Sequence, residues 1–121
     1  MPTIQLSPAV TIDLVTKKND LVNFPFVVQD DNGNAVNFSG YTSAKLTVKN
    51  NELGTEVISF TATGATYQID ISNRSVGAFT IQCNSLPINA DEYVYDFQVS
   101  TSTKGQTIMQ GKFIVQDEVT K

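Results

Sequence analysis

Apolar and polar residues alternate with a period of two through most of this chain, which restricts it to strands whose successive side chains face opposite sides of a sheet. The clearest case is 92–100, where Tyr93, Tyr95, Phe97 and Val99 alternate with Val94, Asp96 and Gln98. The same rhythm predicts strands over 10–15, 21–29, 42–49, 55–62, 66–71, 77–83 and 107–116. Inward positions are assigned to Ile12 and Leu14; to Val22, Phe24, Phe26 and Val28; to Ala44, Leu46 and Val48; and to Phe79, Ile81 and Cys83. In the last strand Met109, Gly111, Phe113 and Val115 share a face, with Ile108 and Ile114 on the other. Pro25 falls inside its strand and donates no ladder hydrogen bond, so that strand is expected at an edge or with a bulge. No segment longer than about ten residues has a helical period, and there is no internal repeat.

Turn formers punctuate these segments. Asp30-Asp31-Asn32-Gly33-Asn34 is the strongest turn, because Asn-Gly tolerates the positive φ of a tight hairpin. A second turn is read at Asn37-Phe38-Ser39-Gly40, and Gly33, Gly40 and Gly111 are the glycines expected to matter structurally. Tyr93 opens its strand directly after Ile88-Asn89-Ala90-Asp91-Glu92, the placement of a tyrosine corner, in which the hydroxyl bonds to loop backbone. About seven to eight short strands in one domain of this length point to an all-β fold, an antiparallel immunoglobulin-like β-sandwich, with a closed barrel as the alternative. The domain is assigned to 10–121, preceded by an N-terminal arm over 1–9. Pro2, Thr3, Ile4, Gln5 and Leu6 of that arm carry no strong element of their own and are candidates for adding to a neighbour's sheet edge.

Composition narrows the function classes. With 8 Lys+Arg against 12 Asp+Glu, and the cations scattered apart from Lys17-Lys18, the chain lacks the clustered basic face that binds nucleic acid. A single cysteine, Cys83, excludes an intramolecular disulfide, and its inward position reads as a small core residue. Met1-Pro2-Thr3-Ile4-Gln5-Leu6 has neither the basic start nor the apolar run of a leader, and no apolar stretch approaches the ~18 residues of a membrane span. Cytoplasmic synthesis and no membrane partner are expected.

Catalytic chemistry finds little to work with. There is no histidine, which removes the commonest general base and metal ligand together. No serine sits in a motif that would activate it, and the acidic residues mostly fall in turns or on outward positions. Asp30-x-Asn32-x-Asn34 copies the start of a calcium loop, but Ala35 stands where the sharp turn needs glycine and Tyr41 where a bidentate glutamate is needed. The Asn37-Phe38-Ser39 and Asn73-Arg74-Ser75 triplets lack the secretory route that would glycosylate them. No catalytic residue, metal, cofactor or small-molecule ligand is expected.

Three segments, in order, resemble immunoglobulin-like structural modules of tailed bacteriophages and are similar to the N-terminal domain of baseplate upper proteins. The first joins Lys18-Asn19-Asp20-Leu21 and Phe24-Pro25-Phe26-Val27-Val28 to Asp31-Asn32-Gly33-Asn34-Ala35-Val36-Asn37-Phe38-Ser39-Gly40-Tyr41, with Ala35 in place of the family's proline. The second is Glu92-Tyr93-Val94-Tyr95-Asp96-Phe97-Gln98-Val99, with Glu92 in place of a glycine. The third leads from Gly105 through Gly111-Lys112-Phe113-Ile114-Val115 to Asp117-Glu118-Val119-Thr120. The resemblance implies a non-enzymatic virion structural protein, such as a head decoration, a neck or tail connector, or a fibre-attachment or baseplate component. It would be made in the host cytoplasm and held by other virion proteins in multiple symmetric copies. The rival function is a host-surface glycan-binding module, which should expose aromatics; Phe38, Tyr41 and Phe60 are the candidates.

Overall fold

The structure is a computed structural model, and it describes residues 3–5, 10–30, 32–51 and 54–117. Ten strands form: β1 (Thr3–Gln5), β2 (Val10–Thr11), β3 (Leu14–Lys17), β4 (Val22–Gln29), β5 (Ser43–Lys49), β6 (Glu56–Thr61), β7 (Gln68–Asp70), β8 (Ala78–Cys83), β9 (Asp91–Ser100) and β10 (Gly105–Gln116). One 3₁₀ turn, Arg74–Val76, is the helical element among the described residues. The hydrogen-bonded order is β1-β4-β8-β7-β6-β5-β9-β10-β2, with β3 also on β10. Its two halves meet at the single bridge between Thr61 and Gln68, and fold face to face as an immunoglobulin-like sandwich. Among the described residues the path runs open from β1 to β2 and does not close on itself.

Aromatic rings join the two layers. Phe26 of β4 meets Phe97 of β9 edge-on at 5.2 Å between centroids, and Phe79 of β8 meets Phe97 at 5.4 Å. Phe97, Phe60, Phe113, Leu46, Ile69 and Ile81 are fully buried, and one continuous cluster of buried side chains fills the interior. Inward facing follows the alternation in β4, β5, β8 and β9, where each second residue is buried or packed against the core. A bulge changes the outcome in β10: Gln98 pairs with Thr107 but Phe97 pairs with Met109, leaving Ile108 as the extra residue. Ile108 and Met109 are therefore both buried, rather than lying on opposite faces as expected.

The eight expected strands become ten at the N-terminal end. Segment 10–15 divides into β2 and β3 around Ile12 and Asp13, and the arm contains β1, which pairs in parallel with Val27–Gln29 of β4. Thr3, Ile4 and Gln5 thus extend this chain's own sheet; three residues are too few for periodicity to reveal. Pro2 and Leu6 lie outside the described residues, as do Asp31 and Glu118-Val119-Thr120. Parallel pairing also joins β2 and β3 to β10, whereas short connections had implied antiparallel neighbours throughout. β4 is flanked by β8 and β1 rather than standing at the edge predicted for it, but Pro25 lies on a stretch that β1 does not pair. The Val28 N–H reaches the Gly77 carbonyl across the β8 side, so by alternation the Pro25 nitrogen faces the other side, where β1 covers only Val27–Gln29.

Candidate functional site

Two tyrosines two residues apart on β9 hold the chain's least regular segments. The Tyr93 hydroxyl donates to the Asn89 carbonyl at 2.7 Å and closes the loop leading into β9, the arrangement of a tyrosine corner. Lys18 Nζ donates to the Asn89 side chain at 3.1 Å, which brings the 18–20 turn to the same place. Asn19 has φ of 63° there, and its N–H donates to the Leu86 carbonyl at 2.7 Å.

Tyr95 does the corresponding work for the first strands. Its hydroxyl donates to the Ile12 carbonyl at 2.6 Å, which turns that carbonyl out of the β2–β3 ladder. The Lys112 N–H would otherwise lose its acceptor, and Asp13 Oδ1 takes it at 3.1 Å. The strand break at Ile12-Asp13 is therefore a side-chain substitution within a ladder whose register continues, since Met109 faces Val10 and Phe113 faces Leu14. Gly111 makes this possible. A Cβ there would sit 2.3 Å from the Ile12 oxygen, and its φ of 150° is one that side chains rarely adopt. Burial, reinforced by the negative charge of Asp13, pushes the Tyr95 hydroxyl well above its usual range.

Of the other glycines named from sequence, Gly33 takes φ of 83° within the hairpin, while a Cβ at Gly40 would meet open space. The Asp30 carboxylate accepts the N–H groups of Asn32 and Asn34 at 2.9 and 3.0 Å, so the calcium-like spacing builds an Asx turn. Arg74, which sequence reasoning passed over, donates from Nε to the Tyr41 carbonyl at 2.8 Å, while its own carbonyl accepts the Phe38 N–H at 2.9 Å. That clamp between two loops has no sequence signature, because its partners are backbone atoms 33 and 36 residues away.

Two shallow concavities mark the surface. One, of about 460 Å³, lies over the outer face of β5, β9 and β10, where Asp13, Lys49, Asp96 and Lys112 line the dip left by Gly111. The other, of about 340 Å³, lies beside Leu21, Gln82 and Cys83. Cys83 is only 5% exposed, and burial raises its thiol pKa. Among the described residues no three side chains of metal-ligating type come together. The aromatics that a glycan platform would need are placed otherwise: Phe38 and Phe60 are fully buried, and half-buried Tyr41 gives its hydroxyl to Gln106 at 3.1 Å.

No family model matches the sequence, and no curated protein does. Among solved structures the chain is similar to CopC from Methylosinus trichosporium OB3b, at 15% identity over 95% of this chain and 92% of that one, with a TM-score of 0.45. It is also similar to a 2,6-sialyltransferase from Vibrionaceae Photobacterium sp. JT-ISH-224, at 16% identity and a TM-score of 0.32. There it covers 92% of this chain and 19% of the other. Likeness at this level carries neither protein's chemistry across.

What distinguishes this surface is its edges. Val15 of β3 is 48% exposed and Leu21 is 62% exposed, on either side of the turn that leads into β4. Two exposed ion pairs, Lys45 with Glu56 and Lys112 with Glu92, both at 3.5 Å, lie across neighbouring strands and contribute little in water.

Proposed function

We propose that this protein is a non-catalytic structural component of a tailed-bacteriophage particle, held by protein–protein contacts in repeated copies. The observation that carries the reading is where the phage-like segments fall. Lys18-Asn19-Asp20-Leu21 forms the turn docked on Asn89, Asp30 and Gly33 form the first hairpin, Tyr93 closes the loop into β9, and Tyr95 and Gly111 tie β9 and β10 to the N-terminal strands. The residues behind the resemblance are thus those that fix the frame, which is what a module reused for its shape would keep. Of the three aromatics on which the glycan-binding alternative rests, Phe38 and Phe60 are buried in the core and Tyr41 alone reaches the surface, which favours the structural reading.

The test is to count the protein by quantitative mass spectrometry in gradient-purified virions washed at moderate and high salt. A structural component stays with the particle in a multiple set by its site's symmetry, and its absence from washed particles ends the reading. Removing residues 2–9 strips β1 from Val27–Gln29 and takes away none of the core residues described above. The truncated domain is expected to fold and to enter particles in reduced number; normal incorporation would end the role of the arm alone.

A further inference from the structure

From the free edge of β3 we infer a self-association site: two copies of this chain pair β3 with β3 antiparallel, about a two-fold axis at Val15. Two of the sheet's other edges carry features that resist strand addition. Pro25 and the three-residue β1 occupy the open side of β4, and β6 bulges at Val57, the extra residue between the Val48–Ile58 and Lys49–Glu56 pairs. On β3, hydrogen bonds from the Ile12 and Lys18 N–H groups to the Gln110 and Gln116 carbonyls show that even-numbered residues face β10. Val15 and Lys17, and the Asp13 carbonyl, therefore turn their backbone groups to the open side, where no described strand pairs.

The outward side chains of the same residues are self-complementary. Asp13, Val15 and Lys17 are all exposed and lie on one face. With Val15 opposite Val15 of the second copy, Asp13 falls opposite Lys17 and Lys17 opposite Asp13, so both charge pairs are of opposite sign. The two Val15 residues exchange two backbone hydrogen bonds, and each Lys17 N–H meets an Asp13 carbonyl of the other copy. Lys17's own carbonyl is already engaged by the Asp20 N–H, so four new bonds form. Asp13 commits one carboxylate oxygen to Lys112 and keeps the other for the incoming lysine. The contact also covers Val15, one of four exposed large hydrophobics among the described residues, beside the half-buried Ile114.

Five residues a side make a small interface, which sets the affinity low, in the range of about 10 μM to 1 mM. Sedimentation equilibrium on the isolated protein up to about 1 mM is the measurement. Wild type is expected to dimerise, and Lys17→Asp, which places two carboxylates opposite each other twice, to weaken the dimer at least about tenfold. Cysteine substitution fixes the register independently of charge. Residue 15 faces itself at a Cα separation of about 5.5 Å, within disulfide reach, whereas residue 17 lies four positions from its own copy. Under mild oxidation Val15→Cys is therefore expected to cross-link and Lys17→Cys is not; buried Cys83 gives the wild-type background. A wild type that stays monomeric at the highest concentration overturns the inference, and shows Asp13 and Lys17 acting only to keep copies apart. So does a dimer indifferent to Lys17→Asp, or equal cross-linking at 15 and 17. None of these results touches the virion reading, which is decided on particles.

Discussion

Gly111→Ala is the substitution expected to do most damage for least change in volume. The added Cβ would stand 2.3 Å from the Ile12 oxygen, 2.9 Å from its carbon and 3.2 Å from its nitrogen. All three are backbone atoms, so relief requires moving β2–β3 off β10 rather than swinging a flexible side chain. That movement strains three bonds at once: Ile12 N–H to Gln110 at 2.8 Å, Tyr95 hydroxyl to Ile12 at 2.6 Å and Lys112 N–H to Asp13 at 3.1 Å. Holding alanine at φ of 150° adds about 1–3 kcal/mol, and weakening two or three hydrogen bonds adds about 1 kcal/mol each, for a loss of roughly 3–6 kcal/mol. Urea unfolding followed by circular dichroism reads this as a midpoint lowered by about 1 M or more, given m of roughly 1–3 kcal/mol/M. Gly105→Ala, where a Cβ meets nothing within 4 Å, is the control and is expected to be near neutral. Tyr95→Phe should lose less in the Gly111→Ala background than in wild type, because both act on the Ile12 carbonyl. A Gly111→Ala midpoint within error of the control, or full additivity with Tyr95→Phe, would refute the account of the strand break.

Tyr93→Phe keeps the ring and removes the bond to Asn89, at an expected cost of about 1–3 kcal/mol; an unchanged urea midpoint would show that the corner is not tied through this hydroxyl. Burial raises the pKa of both Tyr93 and Tyr95 above 10.0, with Asp91 and Asp13 adding to it. A raised folded-state value means that their stabilisation is complete below about pH 10 and is lost as pH rises further, so the urea midpoint should fall above pH 10 and fall less in Tyr95→Phe. Cys83 should label slowly with a thiol reagent in the native state and fast in denaturant, and equal rates would reverse the facing of β8.

Alternation alone was enough to determine which face of β4, β5, β8 and β9 is buried, because a strand's side-chain period is two whatever it packs against. Asn32-Gly33 determined the first hairpin and Tyr93 its corner, since both depend on bonds to backbone within a few residues. Tertiary structure alone decided the rest. Ile108 turns inward because a bulge against β9 admits an extra residue, a mismatch between two strands that neither one encodes by itself. Ile12-Asp13 breaks its strand because Tyr95, 83 residues away, takes the carbonyl that Lys112 would have used. Phe38, from the loop before β5, and Phe60, from β6, are carried into the core by contacts with the opposing layer, while Val15 stays exposed on the outward face of β3 with no neighbouring strand beyond it among the described residues. Period and turn chemistry are local and therefore legible in the residues; which layer, edge or bulge a residue meets depends on contacts far away in the chain.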